Sequence, residues 1–308
     1  MNLVFAALLV AVSAGKDQAL HLYELNPKTG VLEQRAKYDL PGSPGSQCVS
    51  MDGNHLYVSV RSANSVAAYR IDHAKKTLIP LGLTDIGANA AYLSVDKTDR
   101  TLLWASYSGG IVGSHAITKT GSIRKGALSQ IETARCAHAI LPDASNKFVF
   151  VPHTGPNAVY QFRFNALTGK LSKNDPLTTS PATGLEPRHI AFHPKLPIVY
   201  CDDEKGDSVT TYTLNPTTGL LKATHSTSTL PSGFDGSKNT CADIEITKGG
   251  KFVYASNRGH NSIAGFAVDV KSGKLSSIGQ FPTGEIPRSF NLSPNNKWMV
   301  AAGQRSHD

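Results

Sequence analysis

One pattern recurs along the chain: an apolar run ending in an aromatic or similar residue, a turn of the Asn-Pro-x-Thr-Gly type, and then Leu or Ile. The copies read HLYELNPKTGVL, AAYRIDHAKKTL, GSHAITKTGSI, YQFRFNALTGKL, TTYTLNPTTGLL and AGFAVDVKSGKL. Their register residues Tyr23, Tyr69, His115, Phe162, Tyr212 and Phe266 are separated by 46, 46, 47, 50 and 54 residues. That spacing is the repeat length of a β-propeller blade.

A second repeat lies between copies of the first and pairs a strand, a turn and another strand. It reads SQCVSMDGNHLYVSV, AAYLSVDKTDRTLLWAS, AHAILPDASNKFVFVP, RHIAFHPKLPIVYCD, ADIEITKGGKFVYAS and RSFNLSPNNKWMVAA. Short runs rich in Val, Ile, Phe and Tyr, separated by Gly, Asn, Asp and Pro, are strand and hairpin signals. No stretch carries the period of a long amphipathic helix. Each period therefore holds four strands: A, its hairpin partner B, C with the aromatic, and D after the Gly turn. A single four-stranded sheet cannot bury both its faces, so neighbours must stack about a common axis.

The expected fold is all-β, a seven-bladed β-propeller taking residues 1–308 as one domain. The A and B pairs begin near Ser46, Asn89, His138, Arg188, Ala242 and Arg288, and LLVAVSAG near the start supplies a further strand B. On this count blade 1 lacks its strand A, and blade 7 stops after strand B at Gln304, so ring closure reads as incomplete at the C-terminus. Residues 1–10 are a possible signal-like or extra segment, but no basic residues precede the apolar run and the repeat needs its second half as a strand. That run is too short to span a membrane.

The net charge of +8 favours anionic partners. Lys and Arg are scattered through turns without an aromatic-interleaved stripe, which argues against nucleic acid. Cys48, Cys136, Cys201 and Cys241 include no CxxC pair, so buried free thiols in the cytoplasm are expected in place of a zinc site. Export remains the alternative if the N-terminal run is a signal. The sequon at Asn291 falls on an expected strand A, an unsuitable place for a glycan.

In a propeller, the residues just before strand A and just after strand B share one mouth. After strand B lie Arg61, Tyr107, His153, Glu204, Arg258 and Gln304; at the start of strand A lie His138, Arg188, Asp243 and Arg288. An arginine-rich funnel of this kind suits a small oxygen-rich anion, because guanidinium groups grip phosphate or carboxylate in a planar fork. The acidic run Asp202-Asp203-Glu204 lacks the alternation and Gly turn of a calcium loop. Neither G-x-S-x-G nor HExxH occurs, so serine hydrolase and zincin chemistry have no signature. No metal or organic cofactor is expected.

The segments EPRHIAFHPKLPIVYCDDE, YASNRGHNSIAGFAV and EIPRSFNLSPNNKWMVAAGQRSH resemble the lactonase family of seven-bladed propellers, and the likeness runs over essentially the whole chain. The P-R-H-x-x-F-H-P and N-R-x-x-N-S-I strings are its most specific parts. The resemblance implies hydrolysis of a sugar-phosphate lactone, chiefly 6-phosphogluconolactone to 6-phosphogluconate in the oxidative pentose phosphate pathway. Carried over by position, the family's catalytic His falls on His138, its Arg on Arg188, its acid on Glu204 and its second Arg on Arg258. Arg61, Tyr107, His153, Asp243, Arg288 and Gln304 are then expected to bind substrate. A water molecule, deprotonated by Glu204 or His138, would attack the ester carbonyl while Arg188 and Arg258 hold oxyanion or phosphate. Two other readings are a carboxymuconate-type cycloisomerase and a non-enzymatic binding platform.

Overall fold

The computed structural model describes residues 2–6 and 8–306 of the chain. Among these residues the strands form six four-stranded sheets and one two-stranded sheet, each an up-and-down meander. Helix is confined to two single 3-10 turns, Arg61–Ala63 and Gly236–Lys238. Among the described residues no helix is long and apolar enough to cross a membrane.

The first sheet has an inner strand that the sequence reading withheld from it. Asn2–Ala6 pairs antiparallel with Leu9–Ala14, running from Asn2 opposite Ser13 to Ala6 opposite Leu9. The expectation that blade 1 lacks strand A is therefore corrected. The run MNLVFAALLVAVSAG holds two strands whose turn contains no Gly, Pro, Asn or Asp, so nothing in its composition marked the reversal. The final sheet consists of Pro287–Leu292 and Met299–Gly303 and ends, as expected, beside Gln304.

The chain divides into two compact units, Met1–Val151 with Arg163–Ser172, and Pro152–Phe162 with Lys173–Asp308. The first unit contains the first three sheets and the second contains the fifth, sixth and seventh, while the strands of the fourth are divided between them. In the first unit, strand His55–Val60 shows why its run is so apolar. Leu56, Val58 and Val60 pack with Leu9, Leu20 and Leu22 of the first sheet. Tyr57 turns the other way, onto Leu93, Leu102 and Trp104 of the third. A strand buried on both faces loses the polar half of its alternation. The second unit repeats the arrangement, with Tyr200 and Val209 packed against Val253, Ala255 and Phe266.

The aromatic of strand C marks a bulge. In five of the sheets the C–D register shifts at that residue, between Leu22/Tyr23, Ala68/Tyr69, Ser114/His115, Thr211/Tyr212 and Gly265/Phe266. An extra residue on strand D tightens the twist there. His115 takes the aromatic's place because Trp104 Nε1 donates to its Nδ1 at 3.0 Å.

The A–B turns are stitched to their neighbours. Asp99, at φ 56°, accepts from the amides of Met51 at 2.6 Å and Asp52 at 3.0 Å in the preceding sheet. Asn296, at φ 54°, accepts from Lys248 at 3.3 Å in the same way. Asn and Asp tolerate this left-handed backbone and carry the acceptor that it aims outward.

Candidate active site

Two Pro-Arg dipeptides open strands of the second unit, and the backbone treats them alike. Glu186 and Ile286, the residues before each proline, have φ of 60° and 56°. Such angles are costly for a β-branched side chain and mark a site where the surrounding structure imposes the conformation. The ladder then skips a residue. Pro187 faces Asp203 and His189 faces Asp202, leaving Arg188 out of register. Pro287 faces Gly303 and Ser289 faces Ala302, leaving Arg288 out in turn. A strand's first residue can be proline because no ladder donor is lost, and a bulge there re-aims the next side chain. A third bulge between Cys241 and Ile244 does the same for Asp243.

Glu204 follows strand Ile198–Asp203 directly and is fixed by its backbone. Its amide donates to Glu186 O at 2.8 Å, and its carbonyl accepts from the Cys241 amide at 3.0 Å. Its carboxylate lies between two guanidinium groups. Arg258 Nη2 donates to Oε1 at 2.5 Å and to Cys241 O at 2.8 Å, while Arg188 Nε stands 3.7 Å from Oε2. Burial favours the neutral acid, yet Arg188, Arg258 and Arg288 together hold Glu204 below the ordinary carboxylate range. The three side chains are graded in depth: Arg188 is 2% exposed, Arg258 11% and Glu204 21%.

Beneath this set lie His189 and Asp202, two residues the sequence reading did not place in the site. The His189 amide donates to Asp202 Oδ1 at 2.7 Å, its Nδ1 is 2.8 Å from Asp243 Oδ1, and its Nε2 is 3.2 Å from Arg188 Nη1. Asp202 is fully buried, and burial raises its pKa despite the Arg188 guanidinium and the His189 amide that donates to it. One residue on, Asp203 is pushed up to about 7, chiefly by burial, although Ser208 and Thr210 both donate to its Oδ2.

Asp203 yields a prediction about stability. The folded protein keeps this carboxyl protonated up to about pH 7, whereas the unfolded chain releases the proton near pH 3.8, so the folded state loses stability as pH rises between those values. Asp203→Asn keeps an acceptor for both hydroxyls and removes the ionisation. It should stabilise the protein at pH 8 relative to pH 5 by on the order of a few kcal/mol, read from urea denaturation at both pH values. Equal effects at both would contradict the assignment.

In the first unit, Tyr107 and His138 are together, their rings edge to face with centroids 5.3 Å apart. The bond from the Cys136 amide to Tyr107 O at 2.7 Å, with Cys136 at φ 70°, turns the chain so that His138 meets that ring. Arg61 is elsewhere engaged: its Nε donates to Asn89 Oδ1 at 2.7 Å and its stem lies over Gly45. His153 is the last residue of strand Phe148–His153, 0% exposed, its ring tilted 34° against that of Tyr160 with centroids 4.1 Å apart. It aligns with Asp203 and Asn257 in the repeat, one residue before the Glu204 and Arg258 position, and alternation turns it to the other side of its strand. Gln304 is exposed, and its amide donates to Ile286 O at 3.0 Å.

All four cysteines are free; Cys201 and Cys241 are buried, and burial raises both thiols well above the usual value, which leaves them unsuited to nucleophilic work. Among the described residues no cluster of His, Cys, Asp and Glu is arranged to hold a metal ion.

Comparison with known proteins identifies the family of the chain. Residues 7–308 match the family described as Lactonase, 7-bladed beta-propeller. A 6-phosphogluconolactonase of Pectobacterium carotovorum subsp. carotovorum (strain PC1) is 31% identical over 97% of this chain and 88% of its own length. One from Serratia proteamaculans (strain 568) is 30% identical with the same coverage. Among solved structures, the periplasmic gluconolactonase of Pseudomonas aeruginosa superposes with a TM-score of 0.87 at 22% identity, covering 97% of this chain and 89% of that one. A protein from Lactobacillus plantarum gives 0.86 at 23% with the same coverage. These two likenesses concern the fold, an all-β propeller. The chain belongs to the lactonase family of seven-bladed β-propellers.

Proposed function

We propose that this protein hydrolyses a sugar-phosphate lactone, 6-phosphogluconolactone, to the open acid, the step that serves the oxidative pentose phosphate pathway. The observation that carries the reading is the Arg258–Glu204–Arg188 set, an ionised carboxylate between two guanidinium groups, one of them aimed by the bulge at Arg188 and the other held by Glu204 and the Cys241 carbonyl. The names of the relatives at 31% and 30% identity support the choice of substrate.

The pKa of Glu204 divides the roles. A carboxylate held below its ordinary range is a weak base, so Glu204 serves to orient Arg258 while water is deprotonated elsewhere. We assign that proton to His138 on the family resemblance alone, which puts the family's histidine at that position. Arg258 and Arg288, neither as deeply buried as Arg188, are assigned to the phosphate and the oxyanion. Water adds to the ester carbonyl, the C–O bond to the ring oxygen breaks, and that oxygen takes the proton from the imidazolium. No residue supplies a covalent nucleophile in this scheme. The free state of Cys48, Cys136, Cys201 and Cys241 supports a cytoplasmic setting.

A substrate panel tests the proposal. The purified chain should open 6-phosphogluconolactone with a kcat/KM at least about tenfold above that for unphosphorylated glucono-lactone, as expected when an arginine pair adds a phosphate contact. Preferential turnover of a carboxymuconate would move the assignment to a cycloisomerase. Binding of 6-phosphogluconate without any turnover would move it to a binding platform.

A further inference from the structure

We propose that His189 is a positioning residue: a neutral imidazole, fixed by Asp243, that holds the buried guanidinium of Arg188 in the orientation Glu204 requires. A guanidinium has donors only, so at the 3.2 Å contact between Arg188 Nη1 and His189 Nε2 the imidazole nitrogen must accept. The proton of a neutral ring then resides on Nδ1, where Asp243 Oδ1 stands 2.8 Å away to receive it. Asp243 is itself fixed, accepting from the Ile244 amide at 3.1 Å and the Phe290 amide at 3.2 Å. The His189 amide is anchored on Asp202 Oδ1 at 2.7 Å, which sets the ring's origin as well as its tip. Each link fixes the next, from the Phe290 amide through Asp243 and His189 to Arg188, whose Nε lies 3.7 Å from Glu204.

A histidine at this position has a physical rationale. Arg188 is 2% exposed, so its direction depends on protein acceptors and not on water. A carboxylate accepting at Nη1 would draw the positive charge away from Glu204. A neutral nitrogen fixes the group without adding a further negative charge beside Asp202 and Asp243, so Arg188 still helps to keep Glu204 ionised. Asp243 is thus a second positioning residue, acting one step removed, and not a substrate ligand.

The catalytic consequence rests on the lactonase reading, while the geometry does not, so the test has two parts. Long-range ¹H–¹⁵N correlation spectra of the histidine-labelled protein, with the ring assigned by its loss in His189→Gln, should show His189 protonated on Nδ1 and bare on Nε2. A ring protonated on Nε2 overturns the proposal whatever the enzyme acts on. In the lactonase assay, His189→Leu should lower kcat/KM on the order of ten- to hundredfold, the cost of a mispositioned group, and Asp243→Asn should add little to that variant. His189→Gln, whose side-chain oxygen can accept near the Nε2 position, should recover part of the loss. Unchanged kinetics in folded His189→Leu would overturn the proposal. A wild-type protein with the expected tautomer and no lactone turnover would instead refute the functional reading alone.

Discussion

Arg258→Ala should cut kcat/KM for 6-phosphogluconolactone by two orders of magnitude or more while leaving the protein folded. Arg258 Nη2 donates both to Glu204 Oε1 and to the Cys241 carbonyl, so its guanidinium is held at two points before any substrate arrives. A preset donor costs little reorganisation when negative charge develops, and loss of one such donor commonly lowers rate by about a hundred- to a thousandfold. The fold should survive, because the Arg258 side chain is not fully enclosed and Glu204 retains Arg188 and Arg288 nearby. Arg258→Lys separates charge from shape: an ammonium can reach Glu204 but cannot present the planar fork, so recovery should be partial. A folded Arg258→Ala protein with near wild-type kcat/KM would remove this arginine from the mechanism.

The second large effect concerns stability. Arg188→Ala should destabilise the protein by about 3–5 kcal/mol, the range seen when one member of a buried charge set is removed. Asp202, Asp243 and Glu204 all act on the Arg188 charge, and burial of the guanidinium is the strongest influence on its own ionisation. Deleting it leaves buried carboxylates facing one another with a void between them. Urea denaturation at neutral pH reads the loss, and a change below about 1 kcal/mol would contradict the picture of Arg188 as the buried hub. Loss of activity in this variant would not identify a substrate contact, which is why Arg258 is the better probe of chemistry.

The repeat made the sheets legible. Strands such as His55–Val60 and Ile198–Asp203 announce themselves by β-branched and aromatic runs between turn residues, and stacking on both faces explains why those runs are nearly unbroken. Strand Asn2–Ala6 escaped because an apolar chain reversed without a turn residue. In the site, Glu204, Arg188 and Arg258 were reachable because the positions flanking strands A and B recur with the period. His153 was set one position too late in its strand, since Pro152 interrupts the apolar run that would have fixed the register. The roles of His189 and Asp202 were not reachable by counting. They arise from a bulge at Arg188 and from Asp243 arriving from another sheet 54 residues further along, and a bulge has no sequence mark beyond a proline at its start.

Hydrolysis of freshly prepared 6-phosphogluconolactone by the purified wild-type chain, coupled to 6-phosphogluconate dehydrogenase and corrected for spontaneous opening, tests the central claim most directly. The arginine-clasped Glu204 site predicts turnover well above the spontaneous rate, and its collapse in Arg258→Ala at unchanged folded content. A folded wild-type protein that opens the lactone no faster than water does would contradict it.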